Sequence, residues 1–93
     1  MTEHVYVVTQ WDAESSKTLG VVANVEAGKP LADTAEREDI AKTNEQARHS
    51  AAILGGESYI VEYTPLVWDK TDNDLEAKGY WYTYSIERHR VQS

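Results

Sequence analysis

Cysteine and phenylalanine are missing from these 93 residues, and proline (two) and glycine (five) are sparse. Without cysteine there is no disulfide framework and no thiolate ligand for a metal. The three histidines, His4, His49 and His89, are too scattered to suggest a His-rich zinc site. No segment approaches the ~20 consecutive apolar residues of a membrane-spanning helix. The opening MTEHVYVVTQ carries an acidic residue and no basic stretch, unlike a secretory leader. The expectation is one soluble cytoplasmic domain over residues 1–93.

Basic charge is scarce as well. Nine Lys and Arg stand against sixteen Asp and Glu, a net charge of −7. A field of that sign repels phosphate backbones and anionic lipid surfaces, which argues against direct nucleic-acid or membrane binding. Catalytic signatures are equally absent: there is no Gly-x-Ser-x-Gly, no Walker loop, no Gly-x-Gly-x-x-Gly and no His-Glu-x-x-His. Gly55-Gly56 follows a helical pattern instead of opening one, so its amides are not those of a phosphate site. These absences point to a protein without cofactor, metal or enzymatic activity.

What is present is strand and helix chemistry in sequence. Residues 4–11, 19–26, 57–64 and 79–88 are rich in β-branched and aromatic side chains. Residues 33–54 between them carry a helical pattern. Asp33 and Glu36 are spaced as a capping box, and Ile40, Ala47, Ala51 and Leu54 share a face. Gly55 and Gly56 supply the stop. AGKP at 27–30 reads as the terminator of the second strand, and Pro65 ends the third or holds it at an edge. The predicted fold is α+β, β-β-α-β-β: a four-stranded, mainly antiparallel sheet with one helix on one face. The sequence does not determine the strand order; one workable arrangement has the first and third strands central.

Alternation along the strands sorts their residues into two faces. Val5, Val7, Trp11, Leu19, Val21, Tyr84 and Ile86 belong to the more continuously apolar set, assigned to the helix side. The other set contains Tyr6, Val8, Val22, Ile60 and Trp81 among polar neighbours. An apolar centre with a polar rim on an uncovered face fits a protein–protein interface, and a chain this small has reason to associate, as a homodimer or with another protein.

Asp69, Asp72, Asp74 and Glu76 crowd a stretch that reads as a long loop before the final aromatic strand. An EF-hand count from Asp72 fails, with Ala77 at the glycine position and Thr83 where the bidentate Glu belongs. The loop therefore reads as solvated turns, available for contact with a partner. Three functional readings follow. One is a non-enzymatic interaction module using the uncovered face. Another is an acidic decoy for a basic, nucleic-acid-binding protein, presenting Glu38, Glu45 and the acidic loop. The third is a small-ligand binder or enzyme whose pocket is invisible in sequence.

Overall fold

The computed structural model describes residues 3–57, 60–71 and 74–91. Among these residues five strands form one antiparallel sheet, and one helix packs against it. The strands are β1 (Glu3–Trp11), β2 (Ser16–Val22), β3 (Trp68–Lys70), β4 (Asp74–Lys78) and β5 (Thr83–Val91), and the helix is α1 (Val25–Leu54). Their order across the sheet is β2-β1-β5-β4-β3. β5 is thus the central strand, flanked by β1 and β4, and the first and last strands are in register from Glu3 opposite Val91 to Trp11 opposite Thr83. The α+β class stands; the strand count among the described residues is five instead of four, and the order, which the sequence leaves open, has β5 at the centre.

The β1–β2 turn is tied by Asp12, whose carboxylate accepts from the Glu14 and Ser15 amides at 2.8 and 2.7 Å. β2 carries a bulge: Val8 faces Gly20 while Thr9 faces Thr18, so Leu19 is the extra residue and packs on the core. β2 ends at Val22 because Asn24 then caps the helix, its Oδ1 accepting from the Ala27 amide at 2.8 Å.

AGKP is consequently inside α1, and the helix starts eight residues before Asp33. Gly28 is not a terminator but a point of close approach. A Cβ there would stand 3.0 Å from Val8 Cγ2 and 3.2 Å from Ile86 Cδ1. Pro30 lies one turn in, where it forgoes the bond to the Glu26 carbonyl. Asp33 and Glu36 are interior helical residues and cap nothing. The stop at Gly55 and Gly56 is as expected, with φ of 77° and 113°.

The strand expected at 57–64 is absent from the sheet; Ser58 and Tyr59 lie outside the described residues. Residues 60–67 instead run back along the helix. The Asn44 carboxamide donates to the Val61 carbonyl at 2.9 Å and accepts from its amide at 2.8 Å, replacing the two bonds a neighbouring strand would supply. Further along, the Tyr63 hydroxyl donates to Asp33, and the Arg37 guanidinium lies 4.7 Å over the Tyr63 ring.

The expected acidic loop is largely a hairpin. β3 pairs with β4 from Trp68 opposite Ala77 to Lys70 opposite Leu75, and Thr71 closes the turn by donating its amide to the Asp74 carbonyl at 2.8 Å. The core lies between helix and sheet, where Val8, Ala32, Tyr84 and Ile86 are buried, with Tyr6, Val22, Trp68 and Leu75 packed around them.

Candidate functional site

The sheet has one face under α1 and one that no described element covers. Which residues occupy each face follows from the register. Val8 touches the helix at Gly28, and its ladder partners Ile86 and Gly20 share that side, as do Tyr6 and Val22. The sequence-based assignment was therefore inverted for β1 and for Gly20–Val22 of β2, while Leu19, assigned to the helix side, is there through the bulge; three of the five expected interface residues, Tyr6, Val8 and Val22, are on the covered side. Val8 is fully buried between sheet and helix. Ile60 is in the connector after the helix, and Trp81 is in the β4–β5 turn, where it makes an edge-on contact with Tyr80 at 4.8 Å. The five share no face. Tyr84 and Ile86, assigned to the helix side, are there.

The uncovered face carries Val5, Val7, Thr9 and Trp11 from β1, with Val21 opposite Val7. Trp11 is held across the strands by its indole N–H, which donates to Ser85 Oγ at 2.8 Å. This half of the face is apolar to neutral. The other half is acidic. Asp69 stands directly opposite Glu76 on β3–β4, and Asp74 opposite Glu87 on β4–β5. Like charges opposed across a ladder are destabilising. Glu87 has a His89 ring nitrogen at 3.3 Å, while Asp69, Asp74 and Glu76 make no ion pair among the described residues. Of the acidic residues singled out in sequence, Asp69, Asp74 and Glu76 thus converge on one sheet region, and Asp72 lies outside the described residues.

A second region is not among the sites singled out in the sequence. Glu36, on the inner face of α1, is only 2% exposed. Its Oε2 accepts from the Tyr80 amide at 2.8 Å and its Oε1 from the Tyr84 hydroxyl at 3.2 Å. The Tyr84 oxygen accepts in turn from Gln10 Nε2 at 3.1 Å. Burial, above all, pushes the Tyr84 phenol well above its ordinary range; the Gln10 bond opposes this, and the charge of Glu36 adds to it. Gly79 leaves the room the carboxylate occupies, since any Cβ there would overlap it. One turn along the helix, burial raises the Asp39 carboxyl above its usual range against the pull of Lys42, and its Oδ2 is buried without a hydrogen-bond partner.

Glu36 forms part of the wall of a groove of about 380 Å³ between α1, the connector and the β4–β5 turn. Glu62, Thr64, Pro65 and Val67 line it from the connector, and Lys78 and Tyr80 from the turn. The sequence signal for this site was the four-residue spacing Gly28-Ala32-Glu36-Ile40-Asn44, which puts a carboxylate in line with residues that are otherwise small, apolar or amide. Among the described residues no group of three or more His, Asp or Glu is placed to hold a metal ion, and no helix is long and apolar enough to cross a membrane. No family model, curated protein or solved structure matches the chain.

Proposed function

We propose that this chain is a non-enzymatic protein-interaction module that docks through the uncovered face of its sheet, with self-association as its simplest form. The observation that carries the reading is the apolar half of that face: Val5, Val7, Trp11 and Val21 on the two strands β1 and β2, with no second layer among the described residues. Val21 and Trp11 remain 59% and 41% exposed. A sheet with one bare apolar half gains from a partner, because burying apolar surface contributes roughly 25 cal/mol per Å². The Trp11 ring, already oriented by Ser85, loses little rotational freedom on contact, as suits an anchor residue.

Molar mass by light scattering tests this on wild type, Val21→Glu and Trp81→Glu. The reading expects an associated wild type, a folded monomer for Val21→Glu and no change for Trp81→Glu, whose ring sits in the turn away from the face. A wild-type monomer at all concentrations removes the self-associating form.

The acidic half of the same face favours a second reading, a decoy for a basic protein. Its support is the paired carboxylates Asp69–Glu76 and Asp74–Glu87, whose mutual repulsion a cationic partner would relieve. Binding of that kind weakens steeply with salt, since exposed charges are screened within ~8 Å at physiological ionic strength, whereas contact through Val21 and Trp11 responds little.

A further inference from the structure

The groove against Glu36 adjoins the acidic half of the uncovered face at Asp69 but is walled by α1 and the connector, and it has a chemistry of its own. Carboxylates in interiors are ordinarily neutralised by a cation or by several donors. Glu36 is nine-tenths buried and more, yet each of its oxygens accepts a single hydrogen bond, one from an amide and one from a phenol. No described cation lies within ion-pair distance of it. Lys78 lines the same groove without reaching it. The lining as a whole sets Glu36, Glu62 and Asp69 against that one ammonium, and Ile40, Pro65 and Val67 provide an apolar wall beside the charge. The space is maintained: Gly79 is the one residue type that lets the turn approach the carboxylate, and the Tyr84–Gln10 bond fixes its other side. A volume of about 380 Å³ is within the range of small-molecule sites.

We propose that this groove binds an organic cation, a primary ammonium or guanidinium on a short alkyl stem. The cationic head lies toward Glu36 and Glu62 and the stem against Ile40, Pro65 and Val67. Such a ligand supplies the charge that the buried carboxylate lacks and covers apolar surface in the same step, which neither a bare metal ion nor an alcohol does.

The test is a titration of the ¹⁵N-labelled full chain with n-butylguanidinium chloride, following the Gly79 and Tyr80 amide resonances. Sodium chloride, calcium chloride and n-butanol serve as controls. The expected result is a saturable shift at Tyr80 with a dissociation constant on the order of a millimolar. It should weaken several-fold in Glu62→Gln, a substitution at an exposed position that leaves Glu36 in place, and vanish in Thr64→Trp, which fills the groove. Glu36→Gln, if folded by circular dichroism, should also lose it. Absence of a saturable shift in wild type overturns the proposal. So does an equal response to butanol or calcium, or a shift that survives Thr64→Trp. Light scattering of the same variants is expected to match wild type, so failure here and failure of the docking face are read on different observables.

Discussion

The two parts of α1 differ more than any two elements of the molecule. From Gly28 to Asn44 every fourth residue is buried: Gly28, Ala32, Glu36, Ile40, Asn44. From Glu45 to Leu54 none is, and Ile53 and Leu54 are 67% and 81% exposed. A step of four residues overshoots a full helical turn by about 40°, so the buried line winds around the helix. Gly28 and Ala32 meet the sheet, Glu36 meets the β4–β5 turn, and Asn44 meets the connector. Beyond Asn44 no helical residue is buried. A 30-residue helix extends ~45 Å while a nine-residue strand extends ~30 Å. The helix outruns the strands by about 15 Å, and the molecule as a whole is elongated, 61 × 23 × 22 Å. The radius of gyration is 16.4 Å, where a compact chain of this length has ~12 Å. The lesson is that a helix is held by whatever its stripe reaches, and a stripe that winds changes partners along the way.

The sharpest way to probe that contrast is one substitution at two places. Ile40→Ala removes a buried side chain and is expected to lower unfolding free energy by about 2–4 kcal/mol in urea titrations. Ile53→Ala, thirteen residues further along, should change it by less than about 0.5 kcal/mol. Equal effects would mean that the overhang is packed in solution. Asn44→Ala comes next, with an expected loss of about 1–3 kcal/mol, because it strands the Val61 amide and carbonyl. Hydrogen exchange at Val61 should accelerate in that variant while the β1–β5 amides stay protected.

Asp39→Asn should act in the opposite direction and more weakly. Its carboxyl is raised in the folded state, so the folded protein holds that proton more tightly than the unfolded chain. The resulting destabilisation is full above the raised folded value and fades as pH falls toward the unfolded one. The variant therefore gains a small rise in urea midpoint at neutral pH, and the gain shrinks in acid; a gain independent of pH would contradict this account. The smallest effect is at Asp12, far from the helix. The Glu14 amide first, then Ser15, holds its carboxyl below the usual range. An NMR titration should place its midpoint below ~3.9, and replacing Ser15 by Pro should return it toward that value.

The class of fold and the existence of one long helix were legible because each rests on periodicity over many residues. The faces of β1 were not, because both of its parities are apolar: Val5 and Val7 alternate with Tyr6 and Val8, so pattern alone does not choose between them. The choice is made by the helix, through the room Gly28 leaves for Val8 and Ile86. The bulge at Leu19 blurred β2 in the same way. Gly28 and Pro30 looked like punctuation because local propensity favours that reading, and the Asn24 cap with the sheet contact overrides it. β3 has three residues, two of them Asp69 and Lys70, and carries no strand signal of its own. The Tyr-Ile-Val-Glu-Tyr run did look like a strand, but where described it joins no ladder, and Asn44 rather than a neighbouring strand satisfies Val61. Of the candidate site, the acidic residues were visible by type, while their opposition across two ladders needed the register.

The pairing of β1 with β5 also bears on how the chain reaches this state. The longest ladder joins the first strand to the last, with Glu3 beside Val91. During synthesis β1 waits, with only the β2 hairpin to hold, until β5 has left the ribosome. Contacts so distant in sequence slow folding, because the intervening chain must be ordered before they form. The same adjacency makes the order of segments dispensable: joining the two ends by a short linker and opening the Asp12–Ser15 turn would keep the central ladder and bring its strands together early. Such a rearranged chain is expected to fold faster than the natural one.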